Sequence, residues 1–225
     1  MSWQGHGCEY DPDMAFDELR QDYDGAPLHK ADCAADPIAQ FQSWLDQAVA
    51  SEIEMANAMT LATVDAEGSP HARIVLLKDA DVEGFVFFTN YESHKADQLA
   101  SCQKASLLFW WHPMTRQVRI DGTTEKVSAE ESDAYFHTRP RDSNLAAIAS
   151  PQSRPVESRD ALESLISDVR ERNEGEELQR PAHWGGYRVR PTRLEFWQGR
   201  PDRSHDRIEY RLEASGVWSL VRLCP

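Results

Sequence analysis

The chain has 225 residues, with 24 basic side chains against 38 acidic ones and a formal net charge of −14. That balance argues against nucleic acid and anionic membrane as partners, since both select cationic faces. The length suits one domain with a sizeable core, or such a domain with an appended arm. Cys8, Cys33, Cys102 and Cys224 are scattered without a C-x-x-C pair, and no stretch reaches membrane-spanning length. No disulfide framework or zinc site is indicated, and a reducing cytoplasm is the expected location.

Residues 1–35 are polar and acidic and read as a partly irregular arm, with one helical turn at 19–23. Asp36-Pro37 has the form of an N-cap followed by proline at the first helical position. Ile38, Phe41, Leu45 and Ala48 then recur at helical spacing, which predicts a helix to about residue 50. From Met59 the period changes, and strands are expected over 59–64, 71–78 and 85–89, separated by turn-like segments at 65–68 and 81–84. Ser93 is placed to cap a short helix through Leu99. Strands follow over 105–111 and 116–127, broken at His112-Pro113.

Ser128-Ala129-Glu130-Glu131 has the form of a capping box and opens a helix that stops near Arg139-Pro140. Leu162, Leu165, Ile166 and Val169 form one apolar stripe of a helix ending before Gly175. Closing strands are expected over 187–197, 208–212 and 217–223. Many short antiparallel strands with a few helices point to an α+β protein built round a β-barrel, whose closure pattern alone does not establish.

The scarce positive charge is concentrated in a few segments. Arg73-Ile74-Val75-Leu76-Leu77-Lys78 is an alternating strand with a cation at each end. It reads as a core strand with solvated tips, or as one strand serving two anions on opposite faces. Phe88 to Lys95 runs from a strand into a helix start, where free N–H groups, Ser93 and Lys95 make a phosphate cradle or simply an ordinary cap. Tyr135 and Arg139 lie four apart, with Ser143 just beyond the helix. They suit a phosphate monoester, or else form a surface pair at a basic helix end. Gln117, Gln152 and Ser153 carry no signal of their own, and Trp110, Trp111 and Trp218 read as core or interface. No G-x-G-x-x-G, Walker loop, H-E-x-x-H or G-x-S-x-G occurs. The densest grouping is Gly199-Arg200-Pro201-Asp202-Arg203-Ser204-His205-Asp206-Arg207, directly after Leu194-Glu195-Phe196-Trp197. It pairs arginine forks for anionic oxygens with a histidine that donates or carries a proton.

Taken in order, Arg73 to Lys78, Phe88-Thr89-Asn90, Ser93 to Lys95, Arg116-Gln117-Val118, Tyr135 to Ser143, Gln152-Ser153, Trp184-Gly185-Gly186 and Leu194 to Arg207 resemble the pyridoxamine 5′-phosphate oxidases, from about residue 20 to the C-terminus. The resemblance implies an FMN-binding split β-barrel over residues 36–225, working as a homodimer with two active sites at the subunit interface. It implies FMN phosphate held by Arg73 and Lys95, with Ser93, His94, Gln152 and Ser153 nearby. Ile74, Val75, Leu76, Leu77, Lys78, Phe88, Thr89 and Gln117 would line the rest of the flavin, and Trp197 and Arg207 would reach it from the other subunit. Substrate phosphate would fall to Lys78, Tyr135, Arg139 and Ser143, the pyridine ring to the catalytic pair Arg203 and His205, and closure over the substrate to Arg20 and Tyr23.

The implied reaction oxidises pyridoxine or pyridoxamine 5′-phosphate with O2 to pyridoxal 5′-phosphate and H2O2, with NH3 from the amine, by hydride transfer from C4′ to flavin N5. Three positions depart from the family pattern. His94 stands where arginine is usual, Ser204 replaces an aliphatic residue, and Arg200-Pro201 replaces a glycine-containing connection. Flavin affinity and rate are the properties these changes touch. Two other readings remain open at this stage: a phenazine-type oxidase of the same fold, and a flavin- or pyridoxal phosphate-binding carrier without turnover.

Overall fold

The computed structural model describes residues 22–225. Among the described residues nine antiparallel strands form the frame: β1 (Ala58–Val64), β2 (Pro70–Leu76), β3 (Asp79–Asp81), β4 (Gly84–Asn90), β5 (Lys104–Trp111), β6 (Arg116–Lys126), β7 (Trp184–Gln198), β8 (Asp206–Leu212) and β9 (Trp218–Leu223). Five α-helices of the described residues accompany them: α1 (Pro37–Ala50), α2 (His94–Ser101), α3 (Ala129–Thr138), α4 (Arg141–Ala149) and α5 (Arg159–Arg172). The strand order is β2-β1-β5-β6-β7-β4-β3, with β8 added to β7 and β9 to β8.

The longest strand, β7, divides the sheet. Its first half pairs with β4 and its second half with β8, while β6 runs along nearly all of it. The expected strand over 71–78 stops at Leu76, because the chain there changes neighbours. The Leu77 N–H donates to Asn57 O and the Lys78 N–H to Val86 O, the latter on β4. The two edges of the sheet therefore meet at Leu77–Lys78, which curls it into a half-barrel.

Alternation fills the inside of that curl. Met59, Leu61, Leu107, Phe109, Val118, Ile120, Leu194, Phe196, Ile208 and Tyr210 are all buried. The Asp36 side chain accepts from the Ile38 N–H, Pro37 opens α1, and the helix delivers Phe41 against Phe85 and Phe109, each at 4.9 Å, and Trp44 against Phe196 at 5.2 Å. Fully buried side chains of this kind contribute about 1.5–3 kcal/mol each. A satellite core of Phe136, Leu145, Leu178 and Trp184 seats α3, α4 and α5 beside the barrel.

The Ser128 capping box forms, its hydroxyl accepting from the Glu131 N–H. The region after Pro140 differs from expectation. Ser143 lies in the first turn of the separate helix α4, because Pro140 stops α3 yet has a φ of −54° suited to starting a helix. The helical turn expected at 19–23 lies outside the described residues except for Asp22 and Tyr23, which are irregular. Among the described residues no helix is long and apolar enough to cross a membrane, and Cys33, Cys102 and Cys224 are free thiols.

Candidate active site

Where α3 and α4 lean over β2 and β4, a groove of about 680 Å³ opens. Its walls include Ile74, Val75, Leu76, Lys78, Phe88, Thr89, Lys95, Tyr135, Arg139, Ser143 and Gln152, all anticipated from the sequence, together with Asn90, Pro140, Ala146, Ala147, Ser150 and Trp184. Two polar stations stand in it, the second set among the stacked rings of Phe88, Tyr135 and Trp184.

The first lies at the start of α2. The Lys95 ammonium donates to Gln152 Oε1 at 2.6 Å and to Ser93 Oγ at 3.1 Å, and the Thr89 hydroxyl reaches the same Gln152 oxygen at 3.2 Å. Ser93 is fully buried and donates its proton to Asn90 O, and no side chain caps the start of α2, whose free N–H groups suit an anion. Behind Lys95, Arg73 is locked in a ring of buried polar groups. Its guanidinium donates to Thr63 Oγ1 at 2.5 Å and to Gln98 Oε1 at 2.7 Å, and Thr63 donates in turn to Gln98 at 2.6 Å. Burial first, and repulsion from Arg73 second, bring the Lys95 ammonium down to about 8.

The second station lies under α4. Arg139 stands one residue past α3 in extended conformation, so it is α4 that orients it: its guanidinium donates to Asn144 Oδ1 at 3.0 Å and Ser143 O at 3.1 Å. The same plane stacks 4.5 Å from the Trp184 ring centroid. Burial lowers the Arg139 pKa without approaching neutrality for a guanidinium. Tyr135 stacks on Phe88 at 4.1 Å, and the Lys78 ammonium lies 5.7 Å from the Tyr135 ring. Trp184 was legible only as a family position, since an aromatic residue opening a strand reads as core.

The C-terminal residues gather elsewhere. Trp197 lies thirteen residues beyond Trp184 on β7, a path of about 43 Å at the rise of a strand. There His205 packs 4.7 Å from Trp197, Tyr23 meets both rings at 5.6 Å, and Trp110 approaches Trp197 at 6.0 Å. Gln117 stands between Trp110 and Trp197 in the strand register. Arg207 is held by the buried Glu195 through Nε at 2.8 Å and Nη2 at 3.0 Å, which raises its pKa, while Arg119 takes the same carboxylate at 2.8 Å. His205 Nδ1 accepts from the Arg200 N–H at 3.1 Å, which leaves the proton of the neutral ring on Nε2.

Arg203 is exposed and follows Asp202 into the left-handed region, with φ values of 57° and 54°. Two consecutive non-glycine residues of this kind cost roughly 1–3 kcal/mol each, which the rest of the loop must offset. Ser204 closes that loop by donating to Pro201 O at 2.8 Å.

Three expected residues among those described stand apart. Leu77 is buried in the main core, and Ser153 is exposed with a φ of 70°. His94 points into a separate depression with Asp65, Glu67 and Asp97. Arg20 lies outside the described residues.

A half-barrel divided at a long shared strand, with a cation-lined groove under its helices, defines a split-barrel protein with a site built for an anionic ligand. The family model for pyridoxamine 5′-phosphate oxidase matches residues 45–173, and that for the pyridoxine 5′-phosphate oxidase C-terminal dimerisation region matches residues 184–225. The chain belongs to the pyridoxamine 5′-phosphate oxidase family. It is 56% identical over 208 residues to a pyridoxine/pyridoxamine 5′-phosphate oxidase of Cupriavidus pinatubonensis, covering 92% of this chain and 98% of the relative. It is 54% identical over 212 residues to the protein of that name from Bordetella petrii, covering 94% and 100%. Among solved structures, PhzG of Burkholderia lata, bound to tetrahydrophenazine-1-carboxylic acid, superposes with a TM-score of 0.84 at 28% identity, covering 89% of this chain and 99% of that one. An FMN-binding protein of Nostoc punctiforme shares the fold, with a TM-score of 0.69 at 18% identity over 85% of this chain and 100% of the other.

Proposed function

We propose that this chain is an FMN-dependent oxidase converting pyridoxine 5′-phosphate and pyridoxamine 5′-phosphate to pyridoxal 5′-phosphate, with O2 as acceptor, in the cytoplasm. The observation that carries the reading is that one groove holds two cationic stations, Lys95 at one and Lys78 with Arg139 beside stacked aromatics at the other. One suits a cofactor phosphate and the other a substrate phosphate.

The donor chemistry fits FMN. Lys95, Arg73 and the uncapped start of α2 complement a phosphate, Thr89 and Gln152 add neutral hydrogen bonds, and the strand edge Ile74–Leu76 offers an apolar wall for a flat ring. Bound there, FMN would supply the hydride acceptor and its reoxidation by dioxygen. The protein's own residues bind and align. Lys78, Tyr135, Arg139 and Ser143 hold the substrate phosphate, Arg139 as a planar fork. Arg203 sets the ring through its phenolic oxygen, and His205 presents Nε2–H as a donor, which makes alignment rather than obligatory base catalysis its role.

Two groups at opposite ends of β7 serve one substrate when two copies associate. We therefore read the enzyme as a homodimer in which Trp197, Arg203, His205 and Arg207 of one subunit complete the groove of the other, with residues 36–225 as one domain and 1–35 as an arm. Trp110, 42% exposed, and Ile74, 64% exposed, lie on the sheet face opposite the core and suit such an association. The intact substrate-phosphate set Lys78, Tyr135, Arg139 and Ser143 favours a phosphorylated vitamer over a phenazine precursor.

The test is aerobic turnover of pyridoxamine 5′-phosphate with added FMN, following pyridoxal 5′-phosphate and peroxide together. Equal yields of both, dependent on FMN, are expected. FMN binding without turnover would overturn the reading in favour of a carrier or a phenazine-type oxidase.

A further inference from the structure

The segment from Tyr23 to Leu28 is stitched to the C-terminal loop by three side chains. The Arg200 guanidinium donates to Gly25 O and lies 3.6 Å from Asp206 Oδ2. That carboxylate oxygen accepts the Leu28 N–H at 3.0 Å, and its other oxygen pairs with Arg222, which also donates to Leu28 O at 2.6 Å. The seat is tight. A Cβ on Gly25 would fall 2.1 Å from Gln198 Nε2, and one on Gly199 would fall 2.8 Å from the Tyr23 ring, so the two backbones approach this closely because both residues are glycine. One residue touches both sides of the seam: the Arg200 main-chain N–H fixes His205 while its side chain fixes the segment that carries Tyr23 onto His205 and Trp197.

We propose that Arg200 is a positioning residue that latches residues 23–28 over the Trp197–His205 face, so that Tyr23 forms a fixed outer wall of the substrate site. The proposal rests on the reading that substrate lies against His205. Without the latch the segment lifts, and substrate and product leave faster while the groove's anion stations keep their geometry. The side chain is separable from the loop, because Arg200→Ala retains the backbone N–H that holds His205.

The experiment uses the full-length FMN-loaded protein, the variants Arg200→Ala, Arg200→Lys and Gly25→Ala, and two readouts: hydrogen exchange of the peptide spanning residues 22–28, and affinity for pyridoxal 5′-phosphate. In Arg200→Ala, exchange of that peptide should speed up and product affinity fall, each by about tenfold, the worth of one charge-assisted hydrogen bond. FMN affinity should stay unchanged, and KM should rise more than kcat falls. Arg200→Lys, which keeps a donor for Gly25 O, should recover part of both effects. Gly25→Ala should reproduce them with Arg200 intact, which keeps the test open if the alanine variant folds poorly. Unchanged exchange in both disrupting variants would overturn the latch, as would faster exchange with unaltered product affinity. Failure of the parent protein to bind pyridoxal 5′-phosphate would instead count against the proposed function, and the exchange result alone would then decide the latch.

Discussion

Arg73 stands behind Lys95 at the first station, and the hydrogen-bond partners of both cations are neutral oxygens: Ser93, Gln152, Leu61, Thr63 and Gln98. Burial and mutual repulsion bring Lys95 to about 8, below its ordinary value. In the ligand-free protein the folded state therefore binds fewer protons than the unfolded chain between about pH 8 and the ordinary lysine value, and stability rises with pH across that window. Ligand affinity runs the other way. An incoming phosphate needs the charged ammonium, so FMN binding should weaken above about pH 8, by at most about tenfold per pH unit. Titrating FMN by quenching of its fluorescence from pH 7 to 9 checks this. A flat profile would remove Lys95 from the phosphate.

Gln98 is expected to act on the same ligand without touching it. Its carbonyl takes both Arg73 Nη2 and the Thr63 hydroxyl, at 2.7 and 2.6 Å, in a pocket where Gln98 is only 7% exposed. Gln98→Ala should leave Arg73 Nη2 and the buried Thr63 hydroxyl without their acceptor while Nη1 stays on Leu61 O and Thr63, weakening FMN about tenfold and destabilising the fold by roughly 1–3 kcal/mol. Gln98→Glu should restore the acceptor and part of the affinity. FMN titration alongside urea denaturation separates the two effects, and an alanine variant with wild-type FMN affinity would show that Arg73 needs no such frame.

Arg139 should govern substrate alone. Its fork is oriented by Asn144 and Ser143 and stacked on Trp184, a geometry lysine cannot reproduce. Arg139→Lys should raise KM for pyridoxamine 5′-phosphate by about 10- to 100-fold, with FMN affinity unchanged. Steady-state kinetics at saturating FMN measure it. A parallel loss of FMN would mean that the two stations hold one ligand.

Local chemistry explains what was legible in advance. Asp36 and Ser128 announced their helices because a capping oxygen and its N–H partner lie two or three residues apart. The alternation of Met59 and Leu61, or of Phe109 and Trp111, marks an inward face without knowledge of the neighbouring strand. Features that depend on distant partners were silent. Thr63 and Gln98 are neutral residues on a strand and a helix, and nothing near either one in sequence signals that they frame an arginine. Helix α4 was hidden because Pro140 ends one helix and begins the next, so a stop signal masked a start. The meeting of the sheet's edges at Lys78 depends on the register of β4 and has no local trace. The separation of Arg139 from Arg203 along β7 follows from sheet order, which residue spacing does not encode.

That separation yields the sharpest prediction. Arg203→Ala should lower turnover strongly with FMN retained, because Arg203 belongs to the far cluster and makes no part of the groove in its own chain. Arg139→Ala should be nearly inactive for the opposite reason. If each site joins the groove of one subunit to the C-terminal cluster of the other, a mixed dimer of the two variants contains one site with both arginines and one with neither. Random reassortment of equal amounts makes half the dimers mixed, so activity should recover to about one quarter of the parent level. Unfolding and refolding the two variants together, then assaying against each refolded alone, gives the answer. Recovery near a quarter requires a shared site. Absence of recovery, with mixed dimers demonstrated by differential tagging, would require each chain to carry its whole site, and β7 would then have to bring its two ends together within one subunit.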